Sequence, residues 1–219
     1  MIKKLLLIGV FIAFNSCGNE NKVTPDSSEI DRQISALPYF NSADFTPQWN
    51  TPIHKIPPFS FLDQNGDTIS NATYKGHIYV ANFFFTICPG ICPKLTENMS
   101  SLQEFYQNDD DIMLLSHTVM PWVDTVEELK KYSIRKGVNA EKWHLVTGDK
   151  TELYTIARDG YFADEDFTKT TDVDDFIHTE NFILVDKKRY IRGVYNGTIA
   201  LDIKRLMRHI DILKNEDIQ

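Results

Sequence analysis

Apolar and polar positions along the chain follow two periods. Tyr79-Val-Ala-Asn-Phe-Phe-Phe is a near-continuous apolar run rich in aromatic and β-branched residues, which suits a strand buried on both faces of a sheet. Beyond Cys88-Pro-Gly-Ile-Cys92-Pro the period changes. Leu95, Met99, Leu102 and Phe105 recur at helical spacing and predict a helix from about Pro93 to Tyr106, with Cys92 as its N-cap and Pro93 at its first position. Asp111 to His117 reads as a second inner strand. Thr125 to Lys136 reads as a second helix, acidic at its start, basic at its end and stopped by Gly137. Lys142 to Val146 is a short strand and Asp149 to Arg158 a third helix. Asn181 to Val185 and Tyr190 to Tyr195 form a strand pair around Asp186-Lys187-Lys188. The last helix runs from about Ala200 to Leu213, with Leu201, Leu206, Ile210 and Leu213 inward. Upstream, Phe59 to Leu62 and Thr68 to Ser70 flank an Asn65-Gly66 turn, the pattern of a small hairpin. Strands alternating with helices, closed by a hairpin and a helix, predict an α/β sandwich around a mixed sheet.

The N-terminal third follows neither period. Met1-Ile-Lys3-Lys4, an apolar stretch from Leu5 to Phe14 and then Asn15-Ser16-Cys17 have the layout of an export signal. The apolar stretch is short for a bilayer span. Ser16 before Cys17 resembles a lipoprotein cleavage site, although Phe14 and Asn15 depart from the usual lead-in, so Cys17 is the expected lipidated residue and an uncleaved N-terminal anchor the alternative. Residues 18–50 are polar, contain Pro25, Pro38 and Pro47, and read as a tether. Within them Ile34, Leu37, Tyr39, Phe40, Phe45 and Trp49 are apolar enough that part of the segment is expected to lie along the domain. The expected organisation is a signal over 1–17, a tether over 18–50 and one folded domain over 51–219.

Charge narrows the function. The 219 residues carry a net charge of −8, or about −10 once Met1 to Ser16 are removed, an acidity that argues against nucleic acid as a partner. Export places Cys88 and Cys92 in the cell envelope, where a free vicinal pair must be kept reduced or metallated. A thiolate at a helix N-terminus is favoured by the dipole and by unpaired N–H groups, so both sulfurs are expected to be reactive. Three residues separate them, so the pair can close a disulfide or chelate one soft metal ion. Two thiolates rarely make a stable metal site alone, and imidazole is the usual further donor. His54, His77, His144 and His209 sit in settings that suit surface or core roles. His178 precedes an inner strand and follows the acidic stretch Asp164 to Asp175, a position equally suited to a ligand and to a hydrogen-bonded structural histidine.

Phe84-Phe-Thr86-Ile-Cys88-Pro-Gly-Ile-Cys92-Pro, Asp124-Thr125 before a helix, Leu145-Val-Thr147-Gly148, and His178 ahead of Phe182-Ile-Leu-Val-Asp186 resemble the Sco/SenC family from about Ile56 to Leu213. The resemblance implies a thioredoxin-like three-layer sandwich, a central mixed sheet flanked by helices. It implies copper held by Cys88, Cys92 and His178, and a role in assembling the copper A centre of cytochrome c oxidase, whose copper-receiving subunit is the implied partner. The chain departs from the family at Met120-Pro121-Trp122-Val123-Asp124-Thr125, where the first carboxylate of the usual Asp-Pro-x-x-Asp-Thr is absent. Met120 follows a strand end on the side where such sheets open, which puts it and His117 near the cysteine loop, Met120 either as a thioether donor or packed on Trp122.

Two rival functions use the same dithiol: a thiol-disulfide oxidoreductase that keeps a partner's cysteines reduced, and a copper or redox sensor. All nine prolines lie at or before Pro121, so none can face the cysteine pair ahead of the penultimate strand as in thioredoxin-like reductases. Thr86, two residues before Cys88, also misses the Thr-x-x-Cys spacing of peroxiredoxins. A closed zinc site takes four protein ligands where three are evident, whereas copper(I) suits two thiolates and one imidazole. The expectation is therefore an envelope-anchored copper metallochaperone.

Overall fold

Seven strands form one mixed sheet in which the near-continuous apolar run is an inner strand next to the central one. The computed structural model describes residues 36–163 and 179–216, which belong to one unit spanning Ile34–Gln219. In chain order the strands are β1 (Tyr39–Phe40), β2 (Pro47–Gln48), β3 (Ser60–Asp63), β4 (Thr68–Ser70), β5 (Ile78–Phe84), β6 (Ile112–Thr118), β7 (Trp143–Thr147), β8 (Asn181–Val185) and β9 (Ile191–Asn196). The helices are α1 (Cys92–Phe105), α2 (Val126–Lys136), α3 (Lys150–Thr155, continued by a π-helical turn over Ile156–Gly160) and α4 (Ala200–Glu216). The sheet order is β4-β3-β7-β6-β5-β8-β9. β5, β6 and β7 are parallel to one another, while β3 and β8 flank them antiparallel. The α/β expectation is met, with every residue of β5 and β6 buried as a strand covered on both faces requires.

Alternation along the inner strands builds two cores. Ile78, Val80 and Phe84 of β5 pack with Leu95, Met99 and Leu102 of α1, Leu129 of α2 and Leu206 and Ile210 of α4. Tyr79, Ala81 and Phe83 face the other way, against Leu153 and Ile156 of α3 and its turn, with Phe59, Phe61 and Tyr161. Truncating a fully buried leucine such as Leu95 to alanine costs about 3 kcal/mol, so the stripe on α1 alone contributes a large share of a marginal total.

The local signals act as expected at several ends. Thr125 caps α2 by accepting from the Glu128 N–H, and Gly137 closes it at φ 68°. Gly66 takes φ 83° in the β3–β4 turn. Two readings change. Ile91, not Cys92, is the N-cap of α1; it makes no side-chain cap bond, and Cys92 is the first helical residue. Leu201 is 69% exposed rather than inward. The buried stripe of α4 runs through Ile203, Leu206, Ile210 and Leu213, and a residue two positions before Ile203 lies on the opposite side of a helix with 3.6 residues per turn.

Part of the expected tether packs as its apolar residues suggest. Leu37 is buried with the α1-side core, and the β1–β2 pair lies beside β9. Arg192 of β9, itself buried, donates to the carbonyls of Leu37 and Pro38 at 2.6 and 3.1 Å and pairs with Asp186 and Glu216. Packing of the folded unit thus begins before residue 51. Among the described residues no helix is long and apolar enough to cross a membrane.

Candidate metal-binding thiol site

Parallel β5 and β6 end side by side, and the loops that follow them are joined through Asp124. Its buried carboxylate accepts from the Thr86 N–H at 3.2 and 3.3 Å and takes very short bonds from the hydroxyls of Thr86 and Thr118. The Asp124 N–H in turn donates to the Met120 carbonyl at 2.8 Å, and the Val119 N–H to the Phe84 carbonyl at 3.0 Å. Thr86 lies two residues before Cys88, so these bonds set where the cysteine loop leaves the sheet. A buried carboxylate that loses such donors, or donors that lose it, carry the full cost of desolvation, which makes the arrangement stiff.

The expectation that both sulfurs favour the thiolate is met for Cys88 only, because the two thiols have opposite proton affinities. Cys92, 4% exposed, is the first residue of α1, and burial, its role as hydrogen-bond donor to Cys88 and repulsion from a Cys88 thiolate push its pKa up to about 12. Burial also works against a Cys88 thiolate. The Cys92 thiol and the backbone N–H groups of Cys92, Gly90 and Ile91 donate to it and hold its pKa below that of an ordinary thiol. Both cysteines are free thiols. Cys88 is therefore the nucleophile or first donor, and Cys92 the proton reserve behind it.

A cavity of about 330 Å³ opens on the pair, walled by Phe83, Phe85, Pro89, Ile91, Val119 and Thr179. A larger groove of about 450 Å³ lies between Pro57 to Phe61 and α3, but it contains no thiol or imidazole. The chemistry is at the smaller one.

His178 and Cys17 lie outside the described residues. Thr179, which follows His178, lines the thiol cavity. Among the described residues no three His, Cys, Asp or Glu side chains converge as a metal cluster. His54, His144 and His209 take the structural roles their settings suggested. His54 Nε2 bonds the Gly160 carbonyl at 2.7 Å, His144 contacts Asp63 at 3.2 Å with its pKa lowered by burial, and His209 Nδ1 meets the Tyr195 hydroxyl at 2.8 Å.

His117 is not beside the cysteines. It points to the opposite face of the sheet, fully buried among Phe59, Phe61, Phe83 and Tyr161, with no partner for either ring nitrogen among the described residues. Strand alternation is the reason: Thr118, one residue on, faces the Asp124 side. Met120 packs against the same opposite core, and Trp122 lies under the Lys150 ammonium at 5.2 Å. The residues that sequence reading left without a role are Thr86, Thr118 and Asp124. The signal was present in Asp124-Thr125, but only the pairing of β5 with β6 shows what the carboxylate holds.

A parallel β5–β6 core, a cysteine pair entering the first turn of the helix after β5 and a terminal antiparallel hairpin define a thioredoxin-like thiol protein. The SCO1/SenC family model matches residues 48–213. The chain belongs to that family. It is 30% identical over 146 residues to the SCO1 protein homolog of Bacillus subtilis, which covers 66% of this chain and 75% of that protein. Among solved structures it is similar to BsSco, a member of the Sco family of cytochrome c oxidase assembly proteins, at 26% identity and a TM-score of 0.62 over 73% of this chain and 93% of that one. The likeness to Bradyrhizobium japonicum ScoI, solved with copper bound, is one of fold: 24% identity and a TM-score of 0.54, over 70% of this chain and 99% of that one.

Proposed function

We propose that the protein is a copper metallochaperone of the cell envelope that holds copper through Cys88, Cys92 and His178 and passes it to a copper-receiving subunit of cytochrome c oxidase. The observation that carries this reading is the thiol pair itself: one thiol poised toward thiolate, one buried and protonated, sharing a cavity that Thr179 helps to wall. Copper is cargo here. Cys88 offers it the first sulfur, and Cys92 loses its proton as it becomes the second, so uptake releases protons and release takes them back. Two thiolates and one imidazole suit copper(I). Membership of a family with assembly proteins among its relatives supports the destination, and the Ser16-Cys17 junction supports anchoring by lipid at Cys17.

The test is a titration of the reduced protein with copper(I) against a competing chelator. One copper per chain is expected, with tight binding lost in Cys88→Ser and Cys92→Ser and strongly weakened in His178→Ala. Failure of the reduced protein to bind copper overturns the reading, and unchanged affinity in His178→Ala removes that residue from the site.

A further inference from the structure

β9 is the last strand of the sheet, and its outer edge is open where it matters for recognition. The Gly197 N–H donates to the Glu180 carbonyl at 2.7 Å, and from there Tyr195 and Phe182, then Gly193 and Leu184, follow at two-residue steps in the β8–β9 register. In an antiparallel ladder those residues face the neighbouring strand, and the ones between them turn their N–H and C=O groups outward. Asn196 confirms the phase, because its N–H reaches away from β8 to Asp202 at 2.8 Å. Val194 shares that phase. Its N–H and C=O both point off the sheet, and neither has a partner among the described residues. The register shift between Leu184 and Val185 interrupts the ladder on the other side, leaving a short open stretch centred on Val194.

That stretch is the floor of a groove of about 330 Å³. Leu37, Phe40, Pro47 and Trp49 of the β1–β2 pair form its apolar wall, and Arg205 and His209 of α4 form the other. Tyr195 holds this second wall in place. Its ring lies beneath the Arg205 guanidinium at 5.2 Å and its hydroxyl meets His209, and a Cβ at position 193 would come 2.1 Å from that hydroxyl, so Gly193 is what lets the ring lie there. One nitrogen of Arg205 pairs with Asp202 at 3.3 Å, and the side chain stays 43% exposed. Unpaired main-chain groups, an apolar wall and an under-used guanidinium are what an extended acidic peptide satisfies: main-chain bonds to the edge give affinity, and side-chain contacts give selectivity. An open edge is otherwise a liability that proteins cover or charge.

We propose that the free edge of β9 is a docking site for an extended segment of a partner protein, in which one residue pairs with both main-chain groups of Val194, an apolar side chain lies against Trp49 and Phe40, and a neighbouring carboxylate reaches Arg205. The site is separate from the thiol pair and stands whether or not the copper reading does.

The probe is a fluorescein-labelled acetyl-Val-Leu-Asp-Leu-amide, titrated by anisotropy against the soluble chain, with the Val194 amide followed by NMR. Saturable binding that shifts the Val194 amide is expected. Proline is tolerated on an edge strand where the N–H faces outward, so Val194→Pro deletes the donor with the sheet intact; affinity should fall at least about tenfold while copper binding is unchanged. Arg205→Gln should weaken the Asp peptide about fivefold and leave its Asn analogue unaffected. Should Val194→Pro fail to fold, the same peptide with its two central amide nitrogens methylated, tested on the unaltered protein, decides, with loss of binding expected. Binding indifferent to both Val194→Pro and N-methylation, or no binding at millimolar peptide, overturns the proposal. So does a dimer of the unaltered chain that Val194→Pro dissociates, since the edge then belongs to a second copy.

Discussion

Cys92 and His117 are both possible metal donors, both buried, and both sit at the same end of the sheet, yet one belongs to the thiol pair that opens on a cavity and the other is sealed off. Around the cysteines every strong donor has a use: three backbone N–H groups and a thiol serve Cys88, and Asp124 gathers the hydroxyls and the N–H that fix the loop. Around His117 lie the rings of Phe59, Phe61, Phe83 and Tyr161, and neither of its nitrogens has a hydrogen-bond partner among the described residues. Burial alone, with no hydrogen bond to offset it, pushes its pKa down to about 3. Reactivity here follows from what the surrounding backbone donates and from access to a cavity, not from the identity of the side chain.

Breaking the polar side of that comparison should have the largest effect. Asp124→Ala strips acceptors from Thr86 and Thr118 in a dry setting, and a loss of about 3 kcal/mol in chemical denaturation is expected, together with weakened copper binding. Stability within about 0.5 kcal/mol of the parent, a change typical of an ordinary surface substitution, would mean that the carboxylate does not hold the loop.

The two thiols should differ by roughly a hundredfold in their alkylation rate by iodoacetamide at pH 7. Cys88 reacts first because a pKa near 12 leaves Cys92 almost entirely protonated, although the lower basicity of Cys88 offsets part of the gain. Peptide mapping after brief labelling reads this directly. Equal labelling would remove the asymmetry on which the order of copper capture rests.

His117 supplies a pH signature. Its folded pKa lies below the unfolded value, so the unfolded chain binds the extra proton, and stability falls as pH drops from about 6.5 toward 3. His117→Phe keeps a ring in the box and removes the titrating group. The variant should gain about 2 kcal/mol on the parent between pH 7 and pH 5 in urea melts, the slope steepening toward about 1.4 kcal/mol per pH unit as pH falls below the unfolded pKa. Parallel curves for the two proteins would show that the imidazole is solvated or partnered. The smallest effect is expected of Met120→Leu, which swaps one apolar side chain for another against the core opposite α1: less than about 1 kcal/mol of stability, and no change in copper(I) affinity by chelator competition. A weaker copper complex would bring the thioether back to the site.

Much of this was legible in order along the chain. The apolar run at Tyr79, the helical stripe after Cys92, the Thr125 cap and the Gly137 stop are local signals, and local geometry obeys them. Leu201 was misread because a leucine in a first turn looks inward on composition, whereas its angle to Ile203 places it outside. His117 was misplaced for a similar reason. A strand end shows which end of the sheet a residue occupies, but which face it takes depends on the parity set by its neighbours. The chemistry of the pair was readable from Cys-x-x-x-Cys-Pro, but the split between a lowered and a raised pKa was not, since it depends on which sulfur the loop N–H groups reach.

By itself, then, the sequence determined the elements, the family pattern and the place of the cysteine pair, because periodicity, capping and loop residues act over a few positions. Tertiary structure alone decided that Asp124 braces the loop before Cys88, that His117 is walled away from it, and that Val194 turns its main chain to an open groove. Each of these depends on the register between strands far apart in the chain, and a shift of one residue in that register would turn every side chain to the other face.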